Sequence, residues 1–168
     1  MKKMTEKALF EAFAGESMAH TKYLIFSEIA GKSGLKNIAR LFEAIAYAEL
    51  VHAKNHARNL GIQKEKTEEN IQSAIEGETY EVEEMYPAFD AVARLQNEKG
   101  AQKSIHYALE AEKLHTEIYK KAKSEVEKGR DLSLEEIYIC PVCGYTHIGK
   151  PPDHCPVCGL KCDRFKKF

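Results

Sequence analysis

Cysteine is missing from the first 139 positions, and all five cysteines of the 168-residue chain lie beyond them. That distribution excludes the disulfide framework of a small secreted domain and points to a separate metal-binding module at one end. Long apolar runs are missing too. No stretch approaches the ~18 consecutive apolar residues that a membrane-spanning helix needs, so no membrane partner is expected. Neither sign of charge dominates: 25 basic and 26 acidic residues leave a net charge of −1. Nothing therefore draws the chain electrostatically to nucleic acid or to an anionic bilayer. The opening Met1-Lys2-Lys3-Met4 is basic, but polar and acidic residues interrupt the stretch after it. No signal-peptide core forms there, and a cytoplasmic protein is expected.

Helix breakers are sparse between residues 5 and 128, where Ala, Glu, Lys, Leu and Ile dominate. Gly31-Lys32-Ser33-Gly34 separates two helical patterns, 5–30 and 35–60, and Gly61 closes the second. Thr67, with Glu68 and Glu69 after it, reads as a capped start for a third helix reaching Lys99, with Pro87 bending it. Gly100 is expected to break that pattern before a fourth helix over 101–128. Lys128-Gly129-Arg130-Asp131 then opens a linker to short Gly- and Pro-rich pieces. Four helices of ~25 residues, each ~37 Å long, predict an all-α four-helix bundle over 1–130. A small β-type metal domain is predicted over 135–168.

The apolar stripe of every helix is interrupted near its middle by a glutamate. The stripes run Leu9, Phe13, Glu16, His20, Tyr23; then Leu41, Ile45, Glu49, His52. The third passes through Ile71, Ile75, Glu78, Val82, Met85, Phe89, and the fourth through Ile105, Ala108, Glu112, His115, Tyr119. A buried carboxylate without a partner costs several kcal/mol, and four of them in one core require a cation. A single Glu, or a single Glu-x-x-His, is an ordinary exposed-helix pattern; the joint arrangement is not. Glu49-Leu50-Val51-His52 and Glu112-Lys113-Leu114-His115 each place two ligands a turn apart on one face. Glu16 precedes the first pair by 33 residues and Glu78 precedes the second by 34. The chain reads as a duplicated hairpin, and its ligand set is that of a di-iron or di-manganese carboxylate bundle.

Glu81 lies one turn beyond Glu78 and can face the same cavity, or else belongs to the exposed acidic run 81–84. In the first case Glu81 and His52 would compete for one metal, since ferric iron favours carboxylate and ferrous iron accepts imidazole. Tyr23 and Tyr86 are either hydrogen-bond partners of the ligand carboxylates or plain core aromatics. His20 and His56 read as satisfied core or surface histidines.

Cys140-Pro141-Val142-Cys143-Gly144 recurs as Cys155-Pro156-Val157-Cys158-Gly159. Two such knuckles make a tetrahedral four-thiolate site, with each glycine allowing the turn that aims backbone N–H groups at sulfur. Spacing alone does not choose between zinc and iron. Beside a di-iron bundle an electron-carrying iron is expected, with zinc as its substitute. Cys162 is expected to be a spare thiol.

Together these stretches resemble the rubrerythrin family over essentially the whole chain. They are Phe13-Ala14-Gly15-Glu16-Ser17, Ala48-Glu49 with His52, and Glu76-Gly77-Glu78 with Glu81 and Glu84-Met85-Tyr86-Pro87 beyond it. Ala111-Glu112 with His115 and the two cysteine knuckles complete them. The resemblance implies a ferritin-like bundle joined to a rubredoxin-like domain, and an NADH-linked peroxidase reducing hydrogen peroxide to water in defence against oxidative stress. It implies that Glu49 and Glu112 bridge two irons. Glu16 and the exchanging Glu81/His52 pair would complete one iron, and Glu78 with His115 the other. The four-cysteine iron would pass on electrons from a rubredoxin-type carrier or an NAD(P)H-dependent reductase.

A ferritin-like helix order needs a crossover of ~35 Å between the second and third helices. The six residues 61–66 reach at most ~21 Å. Either the bundle is up-down-up-down, or helix pairs are exchanged between the chains of a homodimer, which is the favoured expectation. Competing functions are a ferroxidase, oxygen reductase or iron-handling protein, a metal sensor with structural zinc, and an oxygen-activating hydroxylase. A dedicated electron carrier argues against storage, and redundant carboxylates argue against a static sensor site.

Overall fold

In the computed structural model, which describes residues 1–168, runs of strong helix formers become helices wherever glycine and proline are scarce. Helix α1 spans Lys3–Lys32 and α2 spans Lys36–Leu60. Gly34, with φ 77°, supplies the left-handed residue their reversal requires. The two helices form one unit, Met1–Lys64. Its interior combines small residues with a ring cluster. Ala30, Ala46 and Ala53 are buried, and the rings of Phe26 and Phe42 meet edge-on at 5.5 Å, with Tyr23 6.2 Å from each. Such ring pairs add about 0.5–1.5 kcal/mol beyond area burial. Two hydrogen bonds tie α1 to α2: Ser27 Oγ donates to the Ala39 carbonyl at 2.9 Å, and His20 Nδ1 lies 2.8 Å from the Ala46 carbonyl. His20 is thus a satisfied core histidine. Helix α2 ends as expected on left-handed Gly61, where the N–H groups of Gly61 and Ile62 return to the Arg58 and Ala57 carbonyls.

The second unit, Glu65–Phe168, contains α3 (Thr67–Tyr80), a π-helical turn (Glu81–Met85), α4 (Tyr86–Leu95) and α5 (Lys99–Val126). Thr67 is not the cap expected of it. It is the first helical residue, the boundary position falls on Lys66, and no side chain caps the end. Glu68 and Glu69 still sit in the first turn, where the helix dipole favours them. Pro87 acts upstream of itself. Its ring crowds the carbonyl one turn back and it has no N–H to donate. The turn before it widens, with the Tyr86 N–H reaching the Glu81 carbonyl five residues earlier. The expected break at Gly100 is also corrected: Gly100 lies in the first turn of α5, and the chain turns at Asn97, with φ 57°. Asparagine adopts that left-handed conformation at low cost, and the Glu98 N–H closes the turn on the Ala93 carbonyl at 2.9 Å. Replacing Asn97 with valine should cost about 1–2 kcal/mol, whereas glycine should be nearly neutral. The shift in thermal midpoint between the two variants reads this directly.

Beyond α5, strands β1 (Ile137–Ile139), β2 (Thr146–Ile148) and β3 (Lys166–Lys167) form an antiparallel sheet in the order β2-β1-β3, with Ile139 opposite Thr146. Its core is Cys140, Cys143, Cys155, Cys162 and Phe165, against which Tyr107 of α5 packs. A module whose interior is largely cysteine has little apolar area to hold it without metal.

One face of α2 departs from expectation. Leu41 and Ile45 sit in the predicted core stripe, yet with Ile38 they are 57%, 42% and 43% exposed. Helix α2 buries Ala46 and Ala53 instead, so an apolar stripe at helical spacing stays uncovered in the single chain.

Candidate metal centres

Each unit brings one glutamate and one Glu-x-x-His pair together. In the first, Glu16, Glu49 and His52 present ligand atoms within 4.8 Å of one another; in the second, Glu78, Glu112 and His115 do the same. The two triplets repeat one geometry. His52 Nδ1 lies 2.9 Å from Glu49 and 3.9 Å from Glu16. His115 Nδ1 lies 2.6 Å from Glu112 and 4.0 Å from Glu78. The cause is helical spacing, since residues three apart share a face and their tips converge. Two donors at ~2.1 Å from one metal and at right angles stand ~3.0 Å apart, so both triplets fit a metal ion.

The electrostatics show why a cation belongs there. Burial pushes the Glu78 carboxyl up to about 7, helped by its hydrogen bond to Glu112 and the Glu112 charge, while His115 pulls the other way. Glu81 is raised first by burial and then by the Glu78 charge. It stands beside the triplet without joining it, at the start of the π-helical turn. Tyr86 faces the same acidic group: burial, then the charges of Glu81, Glu112 and Glu78, raise its hydroxyl. Tyr23, by contrast, belongs to the ring cluster of the first unit.

These shifts give the metal-free protein a pH dependence. Its folded state holds the Glu78 proton up to about 7, while an unfolded chain releases it near 4.5. The folded state therefore binds more protons across that window, and this contribution to stability falls as pH rises through it. A metal ion removes the penalty by displacing the proton. Adding zinc should release protons at pH 6 and fewer at pH 8, as read with an indicator dye.

The four cysteines form the second centre. Cys140, Cys143, Cys155 and Cys158 place all sulfurs within 4.8 Å, with Cys140–Cys158 and Cys143–Cys155 both at 3.5 Å. A tetrahedron of ~2.3 Å metal–sulfur bonds has edges of ~3.8 Å, so the quartet fits. Gly144 and Gly159, at φ 76° and 77°, turn each knuckle back over its sulfurs. Burial pushes the Cys155 thiol up, but the N–H groups of Cys158 and Val157, together with the Cys143 and Cys158 thiols, outweigh it and leave the thiol lowered. Cys162 stands outside the quartet; it is buried, and that burial raises its thiol and makes it unreactive.

The structure also joins the two centres of the second unit in a way the motifs do not reveal. His115 Nε2 lies 2.8 Å from the hydroxyl of buried Thr146, the first residue of β2. A Cβ placed on Gly144 would lie 3.7 Å from that of Ala111, so the first knuckle rests on α5 beside Glu112.

Comparison with known proteins agrees with this architecture. The Rubrerythrin family model matches residues 7–123, and the model for the rubrerythrin rubredoxin-like domain matches residues 138–166. Rubrerythrin-2 of Clostridium acetobutylicum is 43% identical, over 98% of this chain and 97% of that protein. Nigerythrin of Nitratidesulfovibrio vulgaris is 36% identical, over 98% of this chain and 86% of its own. Solved structures of nigerythrin in its partially reduced state and its fully reduced, all-ferrous state superpose with TM-scores of 0.58 and 0.56. Identities there are 32% and 33%, with 98% of this chain and 86% of those chains covered.

Proposed function

The chain belongs to the rubrerythrin family, and from that premise we propose that it is a peroxidase reducing hydrogen peroxide to water. Its cofactors are a carboxylate-bridged di-iron site and one iron held by Cys140, Cys143, Cys155 and Cys158. The observation that carries the proposal is the four-cysteine module packed on the helix that bears Glu112 and His115. Iron storage has no use for a resident electron carrier; a repeated reduction does. When bound, the irons would supply the electrons that split the O–O bond, and Cys140, Cys143, Cys155 and Cys158 would hold the iron through which an external donor replaces them.

The chain's own groups do the rest. Glu16, Glu49, Glu78 and Glu112 would balance the metal charge, and the family resemblance implies Glu49 and Glu112 as the carboxylates that the two irons would share. Carboxylates beside the site can relay protons to the departing oxygens. Glu81 and His52 would be alternative ligands of one iron: His52 has a half-exposed side chain, and Glu81 starts a widened helical turn. His115 stays in place.

The functional divisions are 1–130 for the ferritin-like part and 135–168 for the rubredoxin-like part. A homodimer exchanging helix pairs agrees with the short connection at 61–66 and with the uncovered stripe Ile38, Leu41 and Ile45. A cytoplasmic setting suits the reaction, and no helix is long and apolar enough to cross a membrane.

The overall reaction consumes one peroxide, one NADH and one proton to give two waters and NAD+. The test is NADH oxidation with a reductase, a rubredoxin-type carrier and the iron-loaded protein present. One NADH per peroxide, without added oxygen, supports the reading. NADH oxidation that requires oxygen would replace it with an oxygen reductase or ferroxidase. Within the reading, Glu81→Ala should leave the visible spectrum of the oxidised di-iron site altered; an unchanged spectrum removes Glu81 from the ligands.

A further inference from the structure

The two Glu-x-x-His histidines are matched in sequence and at Nδ1 but not at Nε2. His52 has a 53% exposed side chain, and its hydrogen bond is made through Nδ1 to Glu49. His115 is 29% exposed and held at both nitrogens, with Nδ1 2.6 Å from Glu112 and Nε2 2.8 Å from Thr146 Oγ1.

The second bond has a fixed direction once a metal occupies Nδ1. Thr146 Oγ1 also lies 3.2 Å from the Gly144 carbonyl, and a carbonyl only accepts. Directed at Gly144, the single hydroxyl hydrogen of Thr146 leaves its lone pairs toward the imidazole. With a metal on Nδ1, the ring proton is on Nε2 and is donated to Thr146. In the metal-free chain Nδ1 lies against the Glu112 carboxylate, which only accepts, and a metal bound in the cluster takes the place of that contact. The position of Thr146 is itself fixed. It pairs with Ile139 in the sheet, is buried, and comes just after the knuckle whose Gly144 abuts Ala111 of α5.

We infer that Thr146 is a positioning residue: through its Gly144-directed hydroxyl it sets the His115 tautomer and ring orientation, making His115 a fixed ligand while His52 remains mobile. The four-cysteine module thereby orients a ligand of the carboxylate site as well as housing its own metal. The inference rests on His115 being a metal ligand, yet it concerns the imidazole and not the oxidant, so its test does not depend on peroxidase activity.

The experiment uses the full chain loaded with zinc at both centres, and reads the imidazole nitrogens by long-range proton–nitrogen NMR, with His115 assigned from a His115→Gln variant. Wild type should show one His115 species, protonated at Nε2 and metal-bound at Nδ1. Thr146→Val keeps the shape and removes the hydroxyl. It should broaden or split the His115 signals, leave those of His52 unchanged, and weaken zinc binding at the carboxylate site by about 10–100-fold. Thr146→Ser should restore the wild-type pattern. A His115 signal unaltered in Thr146→Val overturns the inference. So does wild-type zinc-loaded protein with the proton on Nδ1, a result that needs no variant to fold. Visible absorbance of the iron-loaded cysteine site reports whether each variant keeps its module.

Discussion

Cys155→Ala is expected to lower NADH-driven peroxide turnover at least ~100-fold, equivalent to ~2.7 kcal/mol of barrier, while the helices remain folded. The interior of the C-terminal module is mostly its own ligands, Cys140, Cys143 and Cys155, with Cys162 and Phe165. Metal binding in such modules supplies about 10–16 kcal/mol of folding free energy. Cys155 is the ligand whose sulfur receives two backbone N–H groups, so its loss removes a thiolate the loop is built to hold. The helices have separate interiors at Ala30, Ala46 and Ala53 and at Ala93. Loss of the visible iron–thiolate absorption with an unchanged helical circular dichroism signal is therefore the expected pair of observations. A single oxidation of pre-reduced protein by peroxide should survive, because that step needs no resupply of electrons. Retained turnover would mean that electrons reach the carboxylate site without the module.

Glu112→Ala should have the opposite signature, sparing the module and emptying the carboxylate site. Changing a group that merely supports a ligand costs about 10–100-fold in metal affinity, so removing Glu112 itself should cost at least ~100-fold. In the metal-free chain the same change should be mild or stabilising. Glu112 is the hydrogen-bonding and charged neighbour that helps raise Glu78, so without it the Glu78 carboxyl moves toward its ordinary range. The fall in metal-free stability between pH 4.5 and 7 should shrink accordingly. Competition with a chelator reads the affinity, and thermal midpoints across pH read the second effect. Glu117→Ala is the control: that residue makes an exposed pair with Lys120, and its loss should stay within ~0.5 kcal/mol.

Much of the site was legible in the sequence because metal ligands obey local geometry. Glu49 with His52, Glu112 with His115, and the two cysteine knuckles are each fixed by spacings of three, which survive whatever the helices later pack against. Boundaries were less legible. Asn97 and Gly100 are both competent to end a helix, and only the closing bond to Ala93 selects Asn97. The widened turn at Glu81–Met85 shows the effect of Pro87 one turn upstream, where the carbonyl it crowds is located. Leu41 and Ile45 lie on a helix apolar on more than one face, so periodicity alone did not say which face meets α1. Thr146 gave no signal. Its bond to His115 spans 31 residues and joins a strand to a helix, beyond any same-face rule.

The most direct test is a single turnover. The iron-loaded protein is reduced without oxygen, mixed with one equivalent of hydrogen peroxide or of oxygen, and monitored by the absorbance of its iron. Oxidation by peroxide much faster than by oxygen is the predicted result. Slow oxidation by peroxide beside fast oxidation by oxygen would contradict the peroxidase assignment and make the site a ferroxidase or oxygen reductase.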